Sequence, residues 1–231
     1  LSVKCQGLSD SLEGVGEVTD ITWVIMWSIG IGEGNENKSP YSSGGRMQLE
    51  TQEFIELAEA SDNVAFIDIE STSLGPDYGS MLVGSIKPLN KEPYSFAVTK
   101  PGEDRVAIEK LTKDMGKYKL WVTYYGKGFD IPFIQARLLR HGLPALNKQP
   151  HADMYFALRK KLILSRGSMA HIASWLKLPE QKMSVSASVW SEVIASPKVH
   201  MPMLIERCES DCAVLEKLWK RTKHLIRDIK R

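Results

Sequence analysis

The sequence predicts an α/β fold in which a mixed sheet of about five strands, the first three antiparallel, is flanked by helices. Three observations predict it. From Val64 onward, strand-favouring apolar runs alternate with helical apolar periodicity. The first three strand runs follow one another at hairpin spacing, whereas a helix separates the third from the fourth. Helical segments then fill the chain to its end, which is the order of a sheet covered on its faces.

Met47 opens the first credible helix, Gln48 to Ala60. Strands read at 64–70 (VAFIDIE), 80–87 (SMLVGSIK), 93–99 (PYSFAVT) and 119–124 (KLWVTY), with a helix near 104–115. Phe129-Asp130-Ile131-Pro132 reads as a helix start, because Asp is a favoured N-cap and Pro is tolerated in the first turn. That helix runs to about His141 and stops at Gly142, with Pro144 following. Further helices read at 153–165, 168–177, 186–195 and 202–229, and no internal repeat is visible. Residues 1–46 differ from the rest: they lack an initiator Met and close in a turn-rich stretch, GEGNENKSPYSSGG. They read equally as a leader or as a genuine extension, and their Trp23–Ile31 run as an edge strand or a segment packed on the core. The working division is an extension, 1–46, and one domain, 47–231.

At 231 residues and 43% apolar content, the chain has enough material for one sizeable core. A net charge of +2 is too near neutral to announce nucleic-acid binding from composition. Three cysteines (Cys5, Cys208 and Cys212) make no disulfide framework and fit a reducing compartment. Cys208 and Cys212, one helical turn apart, read as small core side chains rather than a metal pair. The most apolar run, Ile21 to Ile31, has roughly half the ~20 residues a membrane span requires and lacks a basic start. The expected location is cytoplasmic, with no membrane partner.

Four carboxylates carry the chemistry. Asp68 and Glu70, two apart on a strand, point to one face. Phe66 shares that face while Ala65, Ile67 and Ile69 make the other apolar, so the strand suits burial rather than an exposed polar face. Two like charges side by side are costly unless a cation or proton lies between them. Asp211 falls seven residues after Leu204 and seven before Leu218, inside an apolar stripe of the last helix. A carboxylate there needs a partner. Asp130, taken alone, is equally well explained as a helix cap. Together the four can meet at one end of a sheet, and an all-oxygen set suits Mg²⁺ or Mn²⁺. Four carboxylates are enough for a two-metal site, which clamps the attacking water and the leaving oxygen of a phosphoryl displacement.

Three motifs carry a resemblance: Phe66-Ile67-Asp68-Ile69-Glu70-Ser71-Thr72-Ser73-Leu74, Thr123-Tyr124-Tyr125-Gly126-Lys127-Gly128-Phe129-Asp130-Ile131-Pro132-Phe133 and Cys208-Glu209-Ser210-Asp211-Cys212-Ala213-Val214-Leu215. They resemble the DEDD 3′–5′ exonucleases of the RNase H-like superfamily. The second is the most specific and looks like the proofreading domain of family B DNA polymerases. Residues 62–226 as a whole are similar to stand-alone relatives in archaea, bacteria and phages. His151-Ala152-Asp153-Met154, Ser165-Arg166-Gly167-Ser168, Lys182 and Trp190 also resemble that group.

The resemblance implies that Asp68, Glu70, Asp130 and Asp211 are catalytic metal ligands for two Mg²⁺ or Mn²⁺ ions. It implies hydrolysis at a single-stranded 3′ end, with DNA favoured over RNA and a role in DNA repair or replication. Tyr125, Lys127, Phe129, Arg166 and Arg207 are the expected substrate contacts. Tyr125 reads equally as a base-stacking ring and as a core aromatic.

One departure matters. Where the family places a Tyr four residues, or a His five residues, before the last Asp, this chain has Arg207 and Glu206. Arg207 lies one turn from Asp211 and is expected to pair with it or grip a phosphate. It cannot serve as a base. The Arg159-Lys160-Lys161 run and the basic residues from Lys220 to Arg231 read first as a solvated helix face and as charges favouring a helix C-terminus. Asp153 reads first as a cap of its helix. Two rival functions stay open: a structure-selective endonuclease, and a catalytically weakened nucleic-acid-binding module.

Overall fold

The structure, a computed structural model, describes residues 44–179, 188–227 and 229, with side chains from 51 onward. The chain divides into Leu1–Lys38 and Ser39–Arg231, and every described residue belongs to the second unit. The expectations for 1–43, for the Trp23–Ile31 run, for Lys182 and for the first two residues of the 186–195 helix lie outside the described residues.

Helix α1 (Gly44–Ala60) leads into a sheet of strands β1 (Val64–Ser71), β2 (Met81–Pro88) and β3 (Tyr94–Ala97). Helix α2 (Arg105–Met115), strand β4 (Leu120–Thr123), helix α3 (Asp130–Arg140) and strand β5 (His151–Asp153) follow. Helices α4 (Met154–Arg159), α5 (Met169–Trp175), α6 (Ser188–Ala195) and α7 (Pro197–Thr222) come next, and a 3₁₀ turn (Lys223–Leu225) ends α7. The sheet order is β3-β2-β1-β4-β5. The β1–β2 and β2–β3 pairs are antiparallel; β1–β4 and β4–β5 are parallel. The mixed sheet flanked by helices is the one the sequence predicts, with β1 at its centre.

Both faces of β1 are covered, as its composition demands. Phe66 belongs to a cluster with Ile55 and Ala58 of α1 and with Leu215, Leu218 and Trp219 of α7. The Trp219 ring meets Phe66 edge-on at 6.5 Å, and its indole N–H donates to Glu59 at 2.7 Å. Ala65, Ile67 and Ile69 join a second cluster with Ile108 and Leu111 of α2 and with Phe133 and Ile134 of α3. Phe66 and Trp219 are both fully buried, so hydrophobic burial on this side fixes where α7 runs.

Four expectations are corrected. Residues 153–165 do not form one helix. His151–Asp153 instead pairs with Trp121–Thr123 as an edge strand, and α4 ends at Arg159. The last helix starts at Pro197 rather than 202, because Pro is pre-set for a first turn, and Pro202 is accommodated five residues further in. It ends at Thr222, where the chain tightens into the 3₁₀ turn. Finally, Asp130 does not cap α3: Phe129 holds the N-cap position without a side-chain hydrogen bond, and Asp130 is the first helical residue.

Candidate active site

Strand β1 and helix α7 bring three of the four predicted carboxylates together. Ligand oxygens of Asp68, Glu70 and Asp211 lie within 4.8 Å of one another. Strand alternation puts Asp68 and Glu70 on the face over which α7 passes, and Cys208 Sγ, one turn before Asp211, lies 3.5 Å from Asp68 Oδ2. Both α7 cysteines are buried, and burial pushes their thiols well up, so they stay protonated beside the acidic groups. They are small core side chains, as expected.

Asp130 stands beside the cluster rather than within the three-residue group. Its Oδ1 accepts the Ile69 backbone N–H at 3.1 Å, which ties the start of α3 to the centre of β1. Asp130 is 4% exposed. Burial, with the charges of Asp153 and Glu70 adding to it, pushes its carboxyl up to about 7 against the pull of the backbone N–H groups of Ile69 and of Asp130 itself.

The glycines of the second motif have a physical reason. Tyr125 adopts φ +67°, donating its N–H to Asp153 Oδ1 at 3.0 Å. A Cβ at Gly126 would stand 2.3 Å from Thr123 Oγ1, and one at Gly128 would stand 2.5 Å from the Tyr125 ring. The loop folds back on itself so tightly that both positions exclude a side chain. It carries the chain from the end of β4 to Asp130 in seven residues. Asp153 anchors it, accepting also from Lys127 N at 2.8 Å while capping α4 through Tyr155 N at 3.1 Å. Asp153 therefore caps its helix as expected and anchors this loop as well.

The remaining predicted residues fall into three groups. Arg207 is part of the cluster: its Nε lies 2.6 Å from Glu70 Oε1, and the Asp211 charge also acts on it. Its guanidinium sits 5.3 Å from the Trp190 ring centroid, a cation–π arrangement. Burial alone would lower the Arg207 pKa, but the Glu70 charge and hydrogen bond outweigh it and raise it, with Asp211 and Asp68 contributing. Tyr125 is no core aromatic. Its ring is 46% exposed and forms a platform with Tyr155 (5.0 Å) and Phe156 (5.7 Å). Phe129 is half-buried against Phe133, and Arg166 is exposed. Glu206 is exposed on α7, and His200 faces Glu192 at 3.7 Å. Sequence reasoning missed the Trp190 contact to Arg207, although Trp190 itself stood in the resemblance.

The donor set fits a divalent ion. Three carboxylates converge, all oxygen, and Asp211 Oδ1 is buried without a hydrogen-bond donor even though the residue feels Arg207.

A mixed five-stranded sheet with acidic side chains gathered on its central strand is the plan of RNase H-like α/β domains. The chain belongs to the RNase_H superfamily: the family model RNase_H_2 matches residues 65–223. No curated protein matches it. Among solved structures it is similar to the family B DNA polymerase from the hyperthermophilic archaeon Pyrobaculum calidifontis, at 18% identity with a TM-score of 0.57. That match covers 69% of this chain and 24% of the polymerase, so the chain spans about a quarter of that protein, and the likeness is one of fold. Membership supports a nuclease-type hydrolase acting on nucleic acid, and RNase H-like nucleases generally use divalent metals. No helix among the described residues is long and apolar enough to cross a membrane.

Proposed function

We propose that the protein is a metal-dependent 3′–5′ exonuclease that hydrolyses the terminal phosphodiester of a single-stranded nucleic-acid end, DNA in preference to RNA. One observation carries this reading: the Asp68–Glu70 pair and Asp211, far away in sequence, converge in a largely buried cluster beside Asp130. Mutual repulsion of that kind is tolerated where a cation is to be held. Asp68, Glu70 and Asp211 would hold Mg²⁺ or Mn²⁺, two ions in the full mechanism, with Asp130 completing the set; such ions stabilise phosphoryl charge and activate water.

The chain's own residues have distinct tasks. Tyr125 offers an exposed ring to a terminal base, and Phe129 backs the same loop through Phe133. Lys127 and Arg166 supply positive charge toward phosphates. Arg207 keeps its proton, so it cannot take one from water, and its guanidinium would suit a phosphate oxygen. A nuclease domain of residues 47–231 with an extension at 1–46, a cytoplasmic setting inferred from cysteine usage, and a repair or replication role belong to the same proposal. A second reading, a weakened binding module, is favoured by the Arg207–Glu70 pair, which already meets part of the charge a metal would meet.

A time course on end-labelled single strands with Mg²⁺ or Mn²⁺ tests the proposal. Stepwise shortening from the 3′ end is expected. Discrete internal cuts would make the protein an endonuclease, and binding without cleavage would make it the module.

A further inference from the structure

The described residues contain a second concentration of charge, of opposite sign, that shares only Lys127 with the contacts proposed for the carboxylate site. A pocket of about 140 Å³ opens between β5, α4 and residues 225–227. Lys127, Lys160, Lys161 and Arg227 line it. Lys160, Lys161 and Arg227 are exposed, and among the described residues no carboxylate pairs with any of them. By contrast, Lys220 is bound to Glu216 (2.8 Å), Lys87 to Glu216 (2.6 Å) and Lys223 to Glu59, so these cations serve the fold.

Asp153 is the one carboxylate among the described lining residues, and its two oxygens already accept three backbone N–H groups. His151 adds no positive charge. It is buried, and desolvation together with the Lys127 charge pushes it down to about 3. With a net charge of only +2 over the whole chain, four cations around one concavity are a local excess. Phe156 lines the same pocket and is 39% exposed, and its ring lies 5.7 Å from Tyr125 and 5.1 Å from Tyr155. Charge for phosphates and faces for bases are therefore continuous, the combination that binds single strands without sequence preference.

We propose that this pocket is a second nucleic-acid site, in which Lys127, Lys160, Lys161 and Arg227 hold strand phosphates upstream of the terminal nucleotide while the Tyr125–Phe156 platform stacks bases between the pocket and the carboxylates. The inference rests on the nuclease reading for its choice of ligand, but its test does not depend on cleavage. Binding of a fluorescent single-stranded 20-mer to the full chain is measured by anisotropy in EDTA, across a series of NaCl concentrations. In the triple variant Lys160→Ala/Lys161→Ala/Arg227→Ala the affinity is expected to fall roughly tenfold or more at low salt, and the slope of log affinity against log salt to shrink by about 2, since each single-strand phosphate contact contributes about 0.7.

A control variant, Lys110→Ala/Lys113→Ala on α2, is expected to bind like the parent. The pocket proposal is overturned if the triple variant binds as the parent does, if the control loses as much, if the parent binds no strand, or if inorganic tripolyphosphate displaces the strand at equal phosphate concentration. The last result would make the pocket a site for free phosphates. Parent binding that is lost in the triple variant, but with no cleavage in Mn²⁺, sinks the nuclease reading and leaves the pocket. Cleavage with unchanged affinity in the triple variant does the reverse.

Discussion

Asp104 and Asp130 are both buried aspartates at the edges of helices packed on the same sheet, yet their surroundings are opposite. Asp104 is fully buried and thoroughly satisfied. It accepts from Arg137 at 2.8 and 2.9 Å, from His141 at 2.7 Å and from the Met81 backbone at 2.9 Å. Burial alone would raise its pKa, but those donors outweigh it and hold the carboxyl below the usual range. Asp130 has the Ile69 N–H and its own backbone on one side of the balance and burial, Asp153 and Glu70 on the other, and it rises to about 7. One carboxylate is sealed into the scaffold with a protein cation. The other stands beside three carboxylates whose oxygens converge within 4.8 Å. A fold that seals Asp104 so completely has no structural need to gather carboxylates, so the convergence of Asp68, Glu70 and Asp211 reads as a functional feature.

The contrast is broken most severely at the cluster itself. Asp68→Ala is expected to abolish cleavage, a loss well beyond the roughly 10–100-fold typical of outer-shell partners. Circular dichroism and a thermal melt should show the variant folded, because the change removes repulsion; parent-like cleavage in this variant would remove the metal-site account. The scaffold side gives the next largest effect. Arg137→Ala leaves buried Asp104 with only His141 and the Met81 N–H and should lower unfolding free energy by about 3 kcal/mol in urea titrations. A loss within experimental error would mean that Asp104 is not the sealed charge described.

The pH dependence sharpens the comparison, because the two groups act with opposite sign. A raised carboxyl binds its proton more tightly when folded. Asp130 therefore stabilises the metal-free protein at low pH, and that contribution is lost as pH rises from about 4 to about 7, on the order of 2–4 kcal/mol. Asp104 has a depressed carboxyl, so its contribution is present at neutral pH and lost as pH falls below about 4. Chemical denaturation of the metal-free protein at stepped pH checks this: Asp130→Asn should flatten the slope between pH 4 and 7. A slope unchanged in that variant assigns it elsewhere.

The smallest expected effect concerns Arg207. Arg207→Gln removes the cation that Glu70 now holds, so Mn²⁺ should bind roughly tenfold more tightly by calorimetry. Weaker binding would show that Arg207 supports the ion rather than competing with it.

The sequence made much of this legible, for identifiable reasons. The alternation in Val64–Glu70 was enough to place Asp68 and Glu70 on one face, and the period of α7 was enough to bury Asp211. Local signals failed where the determinant was distant. His151–Asp153 is three residues long and is a strand only because β4 offers it an edge. Arg207 follows helical spacing to Asp211, but a strand residue, Glu70, competes for it across the α7–β1 contact. Asp130 looked like a cap because Asp commonly is one; a backbone N–H in β1 claims it instead. The Asp104–Arg137–His141 hub and the basic pocket join residues from separate elements, and no single window of sequence contains either.

Crystals of the protein soaked in Mn²⁺ and measured at the manganese anomalous edge test the central claim most directly. The account predicts anomalous density among Asp68, Glu70 and Asp211, with Glu70 turned from Arg207 toward the ion. No density there at saturating Mn²⁺, with Arg207 still seated on Glu70, would contradict it.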